Sequence, residues 1–326
     1  TSLNKVKFSE GIMNHILITG SNGFLGQYLS QFLAEKGDSV LAHTRKAQTF
    51  DHPNISNINF DLNDNLDNID LNQVEVIIHC AGRAHVMNET AASPLEAYRQ
   101  TNVQGTLNLA QKAVQSGVKR FIYLSSIKVN GEETTTQAFL PNDDVHTNDP
   151  YGLSKYEAEQ ALLALSQDTG LEVVIIRPVL IYGPNVKANF KSMVNLASKK
   201  LPLPIGCLDN KRSMVSVYNL SDLIHTCMTH PNANREVFLA SDQDDISVKQ
   251  LFEKLAKYQN NQLLMLPVPK SLISFMASLV GKKAVASRLC SELVVDTTKN
   301  TQLLGWTAPY NVDTSLEKMF NTAHQN

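Results

Sequence analysis

Cysteine is scarce in this sequence: four in 326 residues, at Cys80, Cys207, Cys227 and Cys290, in no paired spacing. Neither a disulfide framework nor a thiolate metal site is therefore expected, and a reducing cytoplasmic setting is. Neither sign of charge dominates, because 29 Lys and Arg meet 31 Asp and Glu, for a net charge of -2. That excludes the basic field that nucleic acid requires. Long apolar runs are missing as well. The most apolar late stretch, Ser271 to Val280, is about half of what crosses a bilayer and follows Pro267 and Pro269, so a packed helix without membrane insertion is expected. No N-terminal series of charged, apolar and small residues reads as a secretion signal, and residues 1 to 12, ahead of Met13, are left out of the fold.

What is present is an alternation. Short β-branched runs at Ile16 to Thr19, Ser39 to His43, Ile58 to Phe60, Val74 to His79, Phe121 to Leu124 and Val173 to Ile176 are separated by amphipathic stretches at Phe24 to Lys36, Leu95 to Ser116 and Tyr151 to Asp168. This is the pattern of an α/β protein with a doubly wound parallel sheet of Rossmann type. After Arg177 the alternation breaks, and a helix is expected at Phe190 to Ser198. The segment "MVSVYNLSDLIHTCM" then resumes a strand and a helix. The expected division is a dinucleotide-binding domain at 13–178, rejoined by 215–242, and a smaller, mostly helical substrate domain from 179–214 and 243–326.

The first strand runs into "TGSNGFLGQ", with Gly20, Gly23 and Gly26 around Phe24 and Leu25. Glycines between a buried strand and a helix let the backbone approach a pyrophosphate, whose charge is met by free amides. Where a carboxylate would accept hydrogen bonds from the adenosine ribose, the second strand ends in Thr44, Arg45 and Lys46. A basic turn favours a 2′-phosphate, hence NADP(H) over NAD(H), unless it is simply solvated. Further on, "DPYGLSKYEAE" places Tyr151 and Lys155 one turn apart behind an Asp149 cap and Pro150. An ammonium there is expected to lower the pKa of the phenol, which could then exchange a proton with a substrate oxygen. Ser125 and Ser126 end the preceding strand in "YLSSIKVNG".

With these motifs the chain resembles the short-chain dehydrogenase/reductase superfamily. The resemblance implies that Asp61 and Leu62 in "FDLND" contact adenine and that Cys80, Ala81 and Gly82 in "HCAG" line the cofactor. It makes Asn102 in "NVQGTLNLA" the structural and active-site asparagine, and sets Ser126 with Tyr151 and Lys155 as the catalytic set.

From "RPVLIYGP" onward the chain is similar to the extended branch, the nucleotide-sugar epimerases, dehydratases and reductases, and the likeness runs from Asn14 to about Thr314. It implies a UDP-sugar held by Asn189, the backbone at Phe190, Arg212 and, more loosely, Arg288, whose guanidinium groups suit a diphosphate. Three departures from the branch stand out. Leu180 replaces a usual asparagine, Lys128 stands where 4-epimerases carry a small hydroxyl residue, and Arg83 and His85 in "GRAHVMNE" face the expected cleft. Lys128 would bind substrate or point to solvent; His85 would bind substrate or satisfy its own loop. Together the segments look most like bacterial reductases that turn UDP-4-keto-6-deoxy-N-acetylglucosamine into UDP-N-acetylquinovosamine for surface polysaccharide. An NAD-dependent UDP-hexose 4-epimerase is the alternative, and a non-enzymatic dinucleotide sensor a minor one. A homodimer is expected through the helices Leu95 to Ser116 and Tyr151 to Asp168, which carry extra apolar residues such as Ala158, Ala161, Leu162 and Leu165.

Overall fold

The computed structural model describes residues 15–83, 93–145, 147–279, 281 and 283–323. The glycine-flanked strand β1 (His15–Thr19) is followed by α1 (Phe24–Glu35), β2 (Ser39–Thr44), β3 (Ile55–Asn59) and β4 (Val76–His79). Next come α2 (Pro94–Arg99), α3 (Gly105–Gln115), β5 (Arg120–Leu124), α4 (Pro150–Thr169) and β6 (Glu172–Pro178). The later elements are β7 (Leu180–Tyr182), α5 (Ala188–Ala197), β8 (Lys211–Arg212), β9 (Met214–Ser216), α6 (Val217–Thr229), β10 (Val237–Ala240) and β11 (Ile246–Ser247). Helices α7 (Val248–Tyr258), α8 (Lys270–Leu279), α9 (Lys283–Cys290), α10 (Thr298–Leu304) and α11 (Val312–Ala323) complete the described chain.

Seven strands form one sheet in the order β10-β6-β5-β4-β1-β2-β3, and every pairing in it is parallel. The order reverses at β1, so the crevice beyond the strand ends of β1 and β4 is where a doubly wound sheet receives its ligand. Strands β1, β4 and β5 are almost wholly buried because helices cover both faces. Ile16, Ile18, Val40 and Ile122 point to one core, which includes Leu29 and Leu33 of α1 and Leu220 and Ile224 of α6. Leu17, Leu41, Ile77 and Phe121 point to the other, with Leu109 and Ala113 of α3 and Ala158 and Leu162 of α4. Ala158 and Leu162, expected at a subunit surface, are thus inside the monomer. A third core joins Tyr182 and Phe190 to Leu251 and Phe252 of α7 and Leu316 and Met319 of α11.

Two departures from the sequence pattern are physical. The long helix expected from Leu95 to Ser116 is interrupted, with Gln100–Gln104 wound as a π-helix between α2 and α3. Such a wide turn is a common device for presenting a functional side chain, and here it carries Asn102. The second concerns α8, expected to be packed. It has no buried residue, although Ile273 lies against the third core. Among the described residues, no helix is long and apolar enough to cross a membrane.

Candidate active site

The glycine loop is built for close approach. Gly20 has φ +71°, a value that L side chains rarely adopt, and a Cβ on it would come within 2.9 Å of the Ala81 backbone. A Cβ on Gly26 would collide with the Gly20 carbonyl oxygen, so the start of α1 lies directly against the loop. Gly23 closes the turn by donating its amide to Gly20 O at 2.8 Å. It also caps α1 with no side-chain hydrogen bond, and the first turn holds no acidic residue. The first amides of this helix are left for an anion. These features fit the pyrophosphate of a dinucleotide.

Below the loop, one line of hydrogen bonds fixes the strand ends. Ala81 N donates to Thr19 Oγ1 at 3.1 Å, Thr19 Oγ1 lies 2.7 Å from His79 Nδ1, and His79 Nε2 lies 2.9 Å from Thr106 Oγ1. Thr106 in turn donates to Asn102 O at 2.7 Å. Because Thr106 spends its proton on that carbonyl, His79 must donate from Nε2 and accept at Nδ1. Burial pushes its pKa well down, with Lys155 adding to the effect, so the ring is the neutral tautomer this line requires. Asn102 then holds the next loop. Its Oδ1 accepts from Arg83 N at 2.8 Å, and its Nδ2 donates to Ser154 Oγ at 3.0 Å and Arg83 O at 3.2 Å.

A cleft opens above these groups, with an empty volume of about 600 Å³. Its lining brings together Gly20, Gly23, Phe24, Leu25, Gly26, Cys80, Gly82, Arg83, Ser125, Tyr151 and Lys155, all drawn from separate parts of the sequence. Sequence reasoning missed three further lining residues, Leu124, Pro178 and Ile181. The last two sit in "RPVLIYGP" on either side of Leu180, the one residue of that segment singled out from the sequence.

Asp149 caps α4 by accepting from Gly152 N at 3.0 Å, which sets Tyr151 and Lys155 at the start of that helix. The phenol packs edge-on to Tyr98, with ring centroids 5.8 Å apart. Its pKa is pushed up to about 12 by burial, while a hydrogen bond with Ser126 acts in the opposite direction. The expected lowering by Lys155 is therefore corrected. That amine instead donates to Leu124 O at 2.8 Å and lies 4.6 Å from the centre of the Tyr123 ring. Burial brings Lys155 down to about 8. The tyrosine is thus an acid in this state, with its proton retained at neutral pH, and it hydrogen-bonds to Ser126 where a substrate oxygen would be received.

Ser125 donates to Glu159, whose carboxylate takes a two-pronged ion pair from Arg177, at 2.9 Å from Nε and 2.6 Å from Nη2. Arg177 also donates to Asn130 Oδ1 at 3.0 Å. The pair is fully enclosed, and it ties α4, β6 and the strand end at Ser125 into one unit behind the cleft. Glu159, four residues after Lys155, could have been found as the next member of the same helix face.

The other anticipated residues divide. Asp61 is turned to its own loop, accepting from Asn63 N at 2.9 Å, and Leu62 is buried. Thr44 is buried and donates to Lys46 O at 2.6 Å, so it shapes the basic turn, while Arg45 and Lys46 are exposed. Lys128 does not line the cleft, because Glu132 and Asp149 hold its amine in ion pairs. Asn189 is exposed at the start of α5, and Phe190 is buried against Tyr182. Arg212 donates to Arg288 O at 2.8 Å and Ser291 O at 3.0 Å. Its pKa is lowered by burial and then by Arg288, so the two arginines are near neighbours. Leu180, 36% exposed, presents an apolar side chain next to Ile181. His85 lies outside the described residues.

Comparison with known proteins agrees with this architecture. Residues 16–240 match the profile described as the NAD dependent epimerase/dehydratase family. The chain is 45% identical over 298 residues to a UDP-glucose 4-epimerase of Vibrio cholerae, covering 90% of each. It is 26% identical over 322 residues to the N-acetyl-alpha-D-glucosaminyl-diphospho-ditrans,octacis-undecaprenol 4-epimerase of Escherichia coli O157:H7, covering 94% of each. Among solved structures, the UDP-N-acetylglucosamine 4-epimerase of Bacillus cereus superposes with a TM-score of 0.76 at 18% identity, over 95% of this chain and 99% of that one.

Proposed function

We propose that this chain, which belongs to the NAD dependent epimerase/dehydratase family, interconverts the C4 epimers of a UDP-hexose. That it is an NAD(P)-dependent enzyme acting on a nucleotide sugar follows from the family and its epimerase relatives. The observation that carries the finer reading is the near-full-length identity to a UDP-glucose 4-epimerase, joined to a cleft in which Tyr151 and Lys155 share one lining with the glycine loop.

A nicotinamide bound beside the glycine loop and Tyr151 would supply reversible hydride transfer at C4, and inversion would require the keto sugar to turn its other face before the hydride returns. Tyr151 takes the proton from the C4 hydroxyl as the ketone forms and gives it back as the alcohol is restored. For that it must lose its own proton first, against a pKa raised to about 12 by burial, so a bound cation or a reoriented Lys155 has to favour the phenolate. Ser126 orients the reacting oxygen through the hydrogen bond it makes with Tyr151. The dinucleotide is assigned to 13–178 with 215–242, held by Gly20, Gly23, Gly26, the Cys80 to Gly82 strand end and Asn102. The nucleotide sugar is assigned to 179–214 and 243–326, with Arg212 and Arg288 as the proposed partners of the diphosphate, and a homodimer completes the assignment.

One observation favours a second reading, NADPH-dependent reduction of the C4 ketone of a UDP-4-keto-6-deoxy-N-acetylhexosamine. The end of β2 offers exposed Arg45 and Lys46 and no carboxylate, which suits a 2′-phosphate and the cofactor the cell keeps as a reductant. Purified protein given UDP-glucose and, separately, UDP-N-acetylglucosamine with no added reductant should yield the galacto isomer of at least one. If it yields neither, and consumes NADPH stoichiometrically with the 4-keto sugar, the reductase reading replaces the epimerase.

A further inference from the structure

We propose that the outward face of α8 is a docking surface for an anionic lipid bilayer, the helix lying flat in the interface. This goes beyond the reaction proposed above and does not rest on it.

The helix has two unlike faces. Ile273 is seated on the third core, and Ser274 and Ala277 beside it are half-buried. Leu272, Phe275, Met276 and Leu279 are 48%, 58%, 55% and 66% exposed. Their spacing of three, four and seven residues places them on one stripe of a helix. Leu264 and Leu266, just upstream, are exposed as well, so six of the nine exposed large apolar side chains among the described residues lie within 264–279. Concentration of this kind marks an interaction surface rather than ordinary scattered exposure.

Charge selects the partner. From residue 254 to residue 291 the sequence contains Lys254, Lys257, Lys270, Lys282, Lys283 and Arg288 and no Asp or Glu, in a chain whose net charge is -2. Asp313 answers Lys254 and Lys257, while Lys270 stands exposed at the start of α8 and the sequence continues after the helix with Lys282 and Lys283. Interfaces between proteins are poor in lysine, and a second copy of this chain has no reason to meet a rim of one sign. A bilayer with anionic headgroups favours both parts together, the apolar stripe among the acyl chains and the lysines at the phosphates. Since α9 packs beside α8 and the Arg288 carbonyl holds Arg212, docking would bring the membrane next to the two arginines.

The test is sedimentation of the full chain with vesicles of phosphatidylcholine alone and with about one-third phosphatidylglycerol. Binding is expected to the second and not the first, and to weaken with salt. Lys270→Gln should weaken it about fivefold, and Phe275→Ser with Met276→Ser at least about tenfold, while turnover of a water-soluble nucleotide sugar stays unchanged. Phe275→Trp, which keeps an apolar side chain, should shift its emission to the blue on addition of anionic vesicles alone. No binding to either vesicle, equal binding to both, or an unshifted tryptophan overturns the proposal. So does a dimer in solution that the double serine variant splits, which would make a second copy the occupant.

Discussion

Tyr151 is the residue on which the proposed chemistry turns. Its ring is held edge-on by Tyr98 and its hydroxyl bonded to Ser126, so replacing it removes the proton without disturbing the packing. Tyr151→Phe should lower kcat by about a thousandfold and leave dinucleotide affinity, measured by titration calorimetry, nearly unchanged. A variant retaining most of its rate would take Tyr151 out of the reaction. Arg45 bears on the cofactor. The guanidinium is exposed in a turn that Thr44 shapes from below, and Arg45→Ala should weaken NADPH about tenfold more than NADH. Equal losses for the two, in the same calorimetric titration, would mean that the turn is only solvated. At this scale the sequence was a good guide to identity and a poor one to state. The spacing of Tyr151 and Lys155 places both in the cleft, but the direction of the phenol's pKa depends on enclosure by Tyr98 and on the hydrogen bond from Lys155 to Leu124 O, neither of which local spacing encodes. Lys128 is a related case, since Glu132 reaches its amine from four residues on, but Asp149 does so only once α4 is docked.

At the scale of elements, the site rests on two buried polar assemblies. One runs from Ala81 through Thr19, His79 and Thr106 to Asn102 and stitches β1 and β4 to the π-helical turn. The other is the Glu159 and Arg177 pair, which anchors Ser125 and joins α4 to β6. Glu159→Gln leaves the Arg177 charge enclosed without a counter-charge, which should cost about 3 kcal/mol, read as a lower midpoint in denaturant with an unchanged slope. A midpoint like that of the parent would show that the pair is structurally idle. Strands and most helices were legible because burial on both faces demands continuous apolar runs and Asp149, Pro150 and Gly170 punctuate α4. The π-helical turn was not, because the apolar periodicity of Leu95 to Ser116 continues across it, and only the tertiary demands on Asn102 widen the backbone. The edge strand β10 was missed for a related reason, being four residues long and recruited by β6 from a distant part of the chain.

At the scale of the whole molecule, the last strand of the large sheet is tied to the later cores by Asp242. Its carboxylate accepts from Tyr182 OH at 2.6 Å, Ser216 N at 2.8 Å and Asn219 Nδ2 at 2.6 Å. Burial raises its pKa from 3.8 to about 6, against the pull of those donors. The folded chain therefore binds a proton that the unfolded chain has already released, so this group favours folding on the acid side and that contribution is lost as pH rises from about 4 to 6. Thermal melts of Asp242→Asn should lack this part of the pH dependence, and an unaltered profile would place the titration elsewhere. That the strand and helix alternation stops near the end of β6 was readable from the break after Arg177. How the later segments close on one another was not, because Tyr182, Phe190, Phe252 and Leu316 meet across long separations in sequence.

In the proposed reaction a hydride leaves C4 and returns to its opposite face while Tyr151 manages the proton. This reaction is tested most directly with a UDP-hexose carrying deuterium at C4, incubated with the protein and no added reductant. The expected product is the opposite C4 epimer with the deuterium still at C4, and Tyr151→Phe should form none of it. Epimer free of deuterium, or no epimer at all from a protein that binds both ligands, would contradict it.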